Sequence, residues 1–259
     1  MSLRWWIPPL LAIQFLTQVP VPGLSRLRAD DVPAGMVRAV AWFPLAGGLV
    51  GLVSAGVLIG AAELWPRFVA VLIALIVEAR LTGAFHEDAV ADFCDGFGGG
   101  TTPARVHEIM KDSRIGAYGS VGLMLALGLR AALLTALPAS LILPTLTASA
   151  AFGRLLAVVP KALLPSPPGV DGMASRIVAG TGWRQLAGAS LAMLPFVLPF
   201  AWIEPQAAAA ALLAAGLFVW WLCAFLRRRL GGVTGDCLGF AVYAGQLIVL
   251  LAACARWPA

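Results

Sequence analysis

Seven apolar stretches, at about 37 to 61, 67 to 85, 115 to 137, 139 to 159, 186 to 203, 207 to 226 and 237 to 255, narrow what this chain can fold into. Each is close to the roughly 20 residues that cross about 30 Å of hydrocarbon as a helix. Hydrophobic residues make up 60% of the sequence and charged residues 12%, whereas about a quarter of the positions of a soluble domain are charged. These observations predict an all-α, polytopic transmembrane helical bundle of about seven spans, a single domain over residues 1–259. Short breaks separate the spans at Glu63 to Pro66, Pro138, Glu204-Pro205 and Gly231-Gly232, and longer polar connections run over 86 to 114 and 160 to 185. Residues 5 to 22, with Trp5, Trp6, Pro8, Pro9, Pro20 and Pro22, are too broken to span and are expected at the interface.

Alternating the crossings sorts the positive charges. Arg4, Arg26, Arg28, Arg38, Arg105, Lys111, Arg114, Arg154, Lys161, Arg176, Arg184 and Arg227 to Arg229 fall on one side, and only Arg67 and Arg256 on the other. The positive-inside rule then makes 1 to 36, 86 to 114, 160 to 185 and 227 to 236 cytoplasmic and puts the C-terminus outside. Trp65, Trp202 and Trp257 mark the outer boundary and Trp183 the inner one. The expected location is the cell inner (plasma) membrane, multi-pass, with membrane lipid as surroundings and the polar motifs facing the cytosol. No cleavable leader is evident, because Arg4 is followed by Trp5, Trp6 and Pro8-Pro9 rather than a clean apolar core. Cys94, Cys223, Cys237 and Cys254 have no paired spacing and read as reduced apolar residues. The net charge of +5 reflects topology; with no long basic run beyond Arg227-Arg228-Arg229, nucleic acid is excluded as a partner.

The chemistry is concentrated in residues 82 to 100, where positions 86 to 95 hold one His and four acids. At about 100° per residue, Asp88, Asp92 and Asp95, at i, i+4 and i+7, share a helix stripe about 60° wide. Like charges so placed repel, and a divalent cation relieves them. Oxygen ligands favour Mg²⁺, Mn²⁺ or Ca²⁺ over zinc, and Mg²⁺ is often held by one or two carboxylates plus substrate phosphates. Gly96, Gly98, Gly99 and Gly100 then allow backbone to approach a ligand.

Two further clusters fall on the same face. Lys111, Asp112, Ser113 and Arg114 precede a Gly-rich entry to the third span, where the Arg fork and the Lys point charge suit phosphate or diphosphate oxygens. The turn from Gly231 to Gly239 contains Thr234 and Asp236; its N–H groups can face an anion, and Asp236 can complete a metal shell or take a proton. His86 lies about 200° around a helix from Asp88, so it reaches the same ion only if the helix starts after it; it is kept as a substrate-side candidate. His107 reads as an ordinary surface residue. Charges within spans are costly, so Glu78 and Arg80 are expected to pair or to face the site from below, and Arg130 to pair inside the bundle or snorkel.

The order Phe15-Leu16-Thr17 with Pro20-Val21-Pro22, Phe43-Pro44-Leu45, Leu81-Thr82-Gly83-Ala84-Phe85-His86-Glu87-Asp88 with Asp92 and Asp95, Met110-Lys111-Asp112-Ser113-Arg114-Ile115-Gly116, and Gly231-Gly232-Val233-Thr234-Gly235-Asp236 resembles the cobalamin synthase family, the adenosylcobinamide-GDP ribazoletransferases, nearly end to end. The resemblance implies a multi-pass, Mg²⁺-dependent transferase. Adenosylcobinamide-GDP gives up GMP, and α-ribazole or its 5′-phosphate takes the cobinamide phosphate, forming adenosylcobalamin or its 5′-phosphate. It further implies that Asp88, Asp92 and Asp95 hold one or two Mg²⁺ ions and that Lys111 and Arg114 bind phosphate oxygens, within a substrate-binding set that also includes Asp112, Ser113, Thr234 and His86. Asp95 or Asp236 would accept the ribazole hydroxyl proton. The sequence leaves a homo-oligomer open. Ala89 stands where the family usually has Gly, and Tyr243 and Gln246 occupy a stretch that often carries an acid. A CDP-alcohol phosphotransferase would want Asp-Gly-x-x-Ala-Arg, which 88 to 93 lack; a membrane prenyltransferase would want two Asp-rich runs; a transporter would place its acids at mid-membrane.

Overall fold

The computed structural model describes residues 4–24, 31–168, 177 and 179–257. Arg26, Arg28 and Arg176, which the charge pattern assigns to the cytoplasmic side, lie outside them. Among the described residues the chain is helical, with no strand. In order come α1 (Ile7–Leu16), α2 (Val32–Ala39), a 3₁₀ turn (Val40–Trp42), α3 (Phe43–Ala62), α4 (Arg67–Thr82), α5 (Phe85–Gly99), α6 (Pro103–Met110) and α7 (Ala117–Ala136). A second 3₁₀ turn (Ala139–Leu141) leads to α8 (Ile142–Leu163), α9 (Trp183–Ile203), α10 (Pro205–Arg229) and α11 (Gly235–Cys254). Six helical segments are long and apolar enough to cross a membrane: α2 with α3, α7, α8 with its leading turn, α9, α10 and α11. The α4–α5 pair brings the count to seven when taken as one broken span, in agreement with the apolar pattern. The 10 residues of α1 rise only about 15 Å as a helix, too little to span, and its buried side Ile7, Leu11 and Leu16 joins Met36, Val40 and Phe43 in one apolar cluster.

The centre of the bundle is α8, whose residues from Ile142 to Lys161 are almost all buried. Small residues allow its neighbours in. A Cβ at Gly51 of α3 would come within 2.6 Å of the Leu146 carbonyl, and one at Gly153 of α8 within 2.5 Å of the Val242 carbonyl of α11. Where lipid tails are as apolar as the helices themselves, such close backbone packing is what holds helices together. Helices α9 and α10 are at the periphery, with Leu191, Leu198, Trp202, Leu213, Leu217 and Trp220 exposed, as a lipid-facing surface requires.

The functional consequence comes from a break between α4 and α5. Gly83 at φ +69° closes α4 in the left-handed region, and Ala84 at φ +54° prolongs the turn; together they rotate α5 by 88° from α4. The acidic run thus leaves the direction of the spans while remaining helical. A buried ion-pair network fixes the corner. Glu78 of α4, 4% exposed, accepts hydrogen bonds from Arg130 of α7 at 2.8 and 2.9 Å and from Ser54 of α3 at 2.8 Å. Arg130 also lies 3.8 Å from Glu87 of α5 and over the ring of Tyr243 at 5.5 Å. The pairing of Arg130 inside the bundle is as expected; among the described residues Arg80 forms no ion pair, for it is exposed and it is Arg130 that meets Glu78. At the far end of the same helix pair, Arg67 donates to the terminal carbonyls of α7 at Leu134 and Leu137, satisfying acceptors that a helix end leaves open.

Truncating one partner of a buried ion pair strands the other's charge, at a cost of about 3–5 kcal/mol, whereas replacing both by apolar residues is close to neutral. Arg130→Met should therefore lower the stability of the purified protein in detergent by about that amount, and the double variant Glu78→Leu with Arg130→Met should recover most of the loss. Thermal unfolding monitored by circular dichroism checks both.

Candidate active site

The acidic helix α5 is polar on two sides. One side carries Asp88, Asp92 and Asp95, as the helical spacing predicts; the other carries His86 and Glu87 into the bundle, where His86 is buried. Between them Ala89 and Val90 are buried, and the methyl of Ala89 occupies the space that a side chain at Gly239 of α11 would need. Gly239 across the contact thus accommodates the methyl of Ala89. That close approach brings the first turn of α11, and Asp236 with it, next to the α5 carboxylates. The opposite end of α5 is held by Arg229 of α10, which donates to the Gly100 carbonyl at 2.7 Å and lies over the rings of Phe97 and Phe225.

The three α5 aspartates do not act as one unit. The carboxylate of Asp95 accepts the backbone N–H of Gly116 at 2.6 Å and of Gly119 at 2.8 Å. It therefore occupies the N-terminus of α7, where unpaired N–H groups and the helix dipole favour an anion. This contact also explains the glycines. A Cβ at Gly116 would fall 2.5 Å from Asp95 Oδ1, and Gly119 is equally crowded by the other oxygen. Among the described residues no three His, Cys, Asp or Glu side chains converge on a point that could hold a metal. The α7 amides engage Asp95, while Asp88 and Asp92 of α5 and Asp236 of α11 are close enough to act on one another's charge. Burial, followed by the charges of Asp88, Asp236 and Asp95, raises the Asp92 carboxyl to about 7. Asp88, Asp92 and Asp236 form no ion pair among the described residues.

Beside this cluster is a groove of about 510 Å³ lined by Asp95, Arg105, Glu108, Asp112, Arg114 and Tyr118, among others. Arg114 is there, but it is folded onto Asp112, donating to it at 2.7 and 3.0 Å; these bonds hold the Asp112 carboxyl at about 2. So exposed a pair contributes little to stability, which leaves Arg114 ready to exchange Asp112 for another oxygen anion. Lys111 and Ser113 are exposed next to it. Arg105, read from the sequence only as a topological charge, lines the same groove and is the cation that spacing alone did not single out; its N–H caps onto Thr102 at the start of α6.

Thr234 and His86, both expected on the substrate side, lie apart from this groove. Thr234 is the N-cap of α11, its hydroxyl accepting the Cys237 N–H and donating to the Cys237 sulfur, so it shapes the turn beneath Asp236 rather than presenting a free hydroxyl. His86 is part of α5, which begins before it, and faces a separate cavity; burial first, then the charges of Arg154 and Arg130, depress its pKa well below the ordinary value and keep it neutral. His107 is half-buried, with both ring nitrogens closed off from solvent and without a hydrogen-bond partner.

The arrangement joins carboxylates from two helices to a cationic groove at one end of a membrane bundle, and the likeness to known proteins runs the length of this arrangement. The family model for cobalamin-5-phosphate synthase matches residues 8–254. The chain belongs to that family. A relative from Sinorhizobium medicae, named adenosylcobinamide-GDP ribazoletransferase, is 40% identical over 95% of this chain and 95% of its own length. Proteins of the same name from Ralstonia pickettii and Vibrio cholerae are 38% and 35% identical, covering 92% and 93% of this chain and 91% of each relative. No solved structure matches.

Because folding raises the Asp92 pKa from 3.8 to about 7, the charged form is disfavoured in the native state. Its contribution to stability is full below about pH 4 and is lost as pH rises through 7. In chelator, Asp92→Asn should raise the melting temperature by a few degrees at pH 8 and leave it unchanged at pH 4; differential scanning fluorimetry at the two pH values measures this. Gly119→Ala, which forces Asp95 off the α7 amides, should cost about 1–3 kcal/mol in the same assay.

Proposed function

We propose that this chain transfers the cobinamide phosphate of adenosylcobinamide-GDP to α-ribazole or its 5′-phosphate, releasing GMP, in a Mg²⁺-dependent phosphotransfer at the cytoplasmic face of the inner membrane. The observation that carries the reading is that Asp88, Asp92 and Asp236 act on one another's charge and form no ion pair among the described residues, in a chain whose relatives bear the ribazoletransferase name. The side is supported by the charge asymmetry of the loops: the carboxylates and the groove are at the end of the bundle where the basic residues collect.

The donor set fits magnesium. An ion that shares its shell with substrate phosphates and water needs only one or two carboxylates from the protein. Asp88, Asp92 and Asp236 would hold it, and it would supply charge neutralisation on the diphosphate. The chain's own residues do the rest. Arg114 and Arg105, and Lys111 beside them, take the oxygens of the leaving nucleotide and keep the diphosphate extended along the groove. A ribose hydroxyl of the acceptor attacks the cobinamide phosphorus; a new P–O bond forms as the bridging P–O bond breaks, and its electron pair leaves with GMP. Asp236 takes the hydroxyl proton. Asp95 is unsuited to that role because both its oxygens are engaged by α7; it instead fixes the angle between α5 and the groove. The work is positioning and electrostatic stabilisation, as in phosphoryl transfer generally.

Purified protein in bilayer vesicles should release GMP from adenosylcobinamide-GDP only when Mg²⁺ and the ribazole acceptor are both present. Asp92→Ala should reduce that rate by more than about a hundredfold, the size of a lost electrostatic contact in the transition state; an unchanged rate would remove the carboxylate cluster from the mechanism.

A further inference from the structure

A second pocket lies on the other side of α5. It is a cavity of about 80 Å³ bounded by α1, α3, α5, α8 and α11 and lined by Phe15, Phe43, Phe85, His86, Arg154 and Lys161, with Gly235 at one edge. A water needs about 10–15 Å³ measured this way, so there is room for a group of several heavy atoms. Most of the lining is apolar, yet it includes two cations. Arg154 is 1% exposed; among the described residues its one hydrogen bond is from Nη1 to the Ala150 carbonyl of its own helix, and Nε and Nη2 are buried without a partner there. Lys161 is 7% exposed and lies 5.8 Å from the centre of the Phe43 ring. His86 Nε2 is also buried and unpartnered.

The nearby acids do not account for these cations. Glu78 and Glu87 act on Arg154 electrostatically, but both are engaged by Arg130, and among the described residues neither Arg154 nor Lys161 forms an ion pair. Unpaired donors are expensive to bury unless an acceptor arrives. Arg154, Lys161 and the start of α11 line one small space, a combination of donors that suits the several oxygens of a phosphate monoester. The room for Arg154 is itself built in: a Cβ at Gly47 of α3 would come within 2.6 Å of the Arg154 side chain.

We infer that this cavity is the anchor for a phosphate monoester borne by the acceptor nucleoside, with Arg154 and Lys161 as the residues that select it. The inference rests on the transferase reading above. Its geometry follows from two neighbours. Phe15 and Phe85, 44% and 42% exposed and edge to face at 5.7 Å, extend the lining to the surface and offer apolar faces to a flat base. Gly235, at the edge of the cavity, adjoins Asp236, so an acceptor anchored by its phosphate holds its ribose next to the carboxylate cluster. The cationic groove of Arg105 and Arg114 is left to the departing nucleotide, so the two substrates enter from opposite sides of α5.

The test compares α-ribazole 5′-phosphate with α-ribazole as acceptors for the intact protein in vesicles. Lys161→Gln should lower the ratio of kcat/KM for the phosphorylated over the unphosphorylated acceptor by at least about tenfold, the equivalent of one charge-assisted hydrogen bond, and Lys161→Arg should restore it. An unchanged ratio overturns the inference. Binding is read separately by thermal unfolding in detergent with inorganic phosphate against chloride at equal ionic strength: phosphate should raise the melting temperature of the unsubstituted protein and not of Lys161→Gln. If the unsubstituted protein makes no product with either acceptor but keeps the Lys161-dependent phosphate shift, the transferase reading fails and the anion site stands. If phosphatidic acid in the vesicles produces the shift and inorganic phosphate does not, the occupant is a lipid and the inference fails.

Discussion

Arg130 bridges the two arms of the corner between α4 and α5. It reaches Glu78 on one arm and Glu87 on the other, and the rest of the site depends on that corner. A helix that continued straight from α4 would take Asp88 and Asp92 along the spanning direction, where carboxylates are costly. Turned by 88° at Gly83 and Ala84, the same residues lie across the end of the bundle, and the polar groups that make the turn are satisfied inside it. The cost of burying a charge network is offset by what it positions: four helices, α3, α4, α5 and α7, meet at Ser54, Glu78, Glu87 and Arg130.

From that corner outward, α5 acts as a partition. Its aspartate side meets α7 through Asp95 and the first turn of α11 through Asp236; its inner side, with His86, closes the cavity of Arg154 and Lys161. Each of the two spaces has a cationic element and an apolar or aromatic wall, and the carboxylates lie between them. A reaction that joins two large phosphate-bearing molecules needs this: separate grips for each partner, and a shared point at which the exchange occurs. The lipid-facing helices α9 and α10 contribute little to either space beyond Arg229, which secures the end of α5.

The sequence made the spans and the acidic helix legible because both are local patterns. Apolar runs of spanning length and an i, i+4, i+7 acidic stripe need no knowledge of what lies opposite. The stripe did not reveal that Asp95 belongs to α7, since that depends on where the N–H groups of Gly116 and Gly119 fall once the chain has turned back. Arg130 could be expected to pair within the bundle, but its partner Glu78 is 52 residues away and no spacing rule connects them. Arg154 and Lys161 sort by charge to the cytoplasmic side in the sequence; in the fold both lie within α8 and are buried. The signal that separates Arg154 from loop charges is its position inside the apolar run 139 to 159, with Gly47 supplying the space.

The central claim is that carboxylates from two helices, α5 and α11, together bind one divalent ion on the diphosphate. Electron paramagnetic resonance of the purified protein with Mn²⁺ in place of Mg²⁺ tests it most directly. With adenosylcobinamide-GDP present, the account predicts one tightly held Mn²⁺ with coupling to ³¹P, weakened both by Asp88→Asn and by Asp236→Asn. Tight binding that is indifferent to Asp236, or a bound ion without phosphorus coupling, would contradict it.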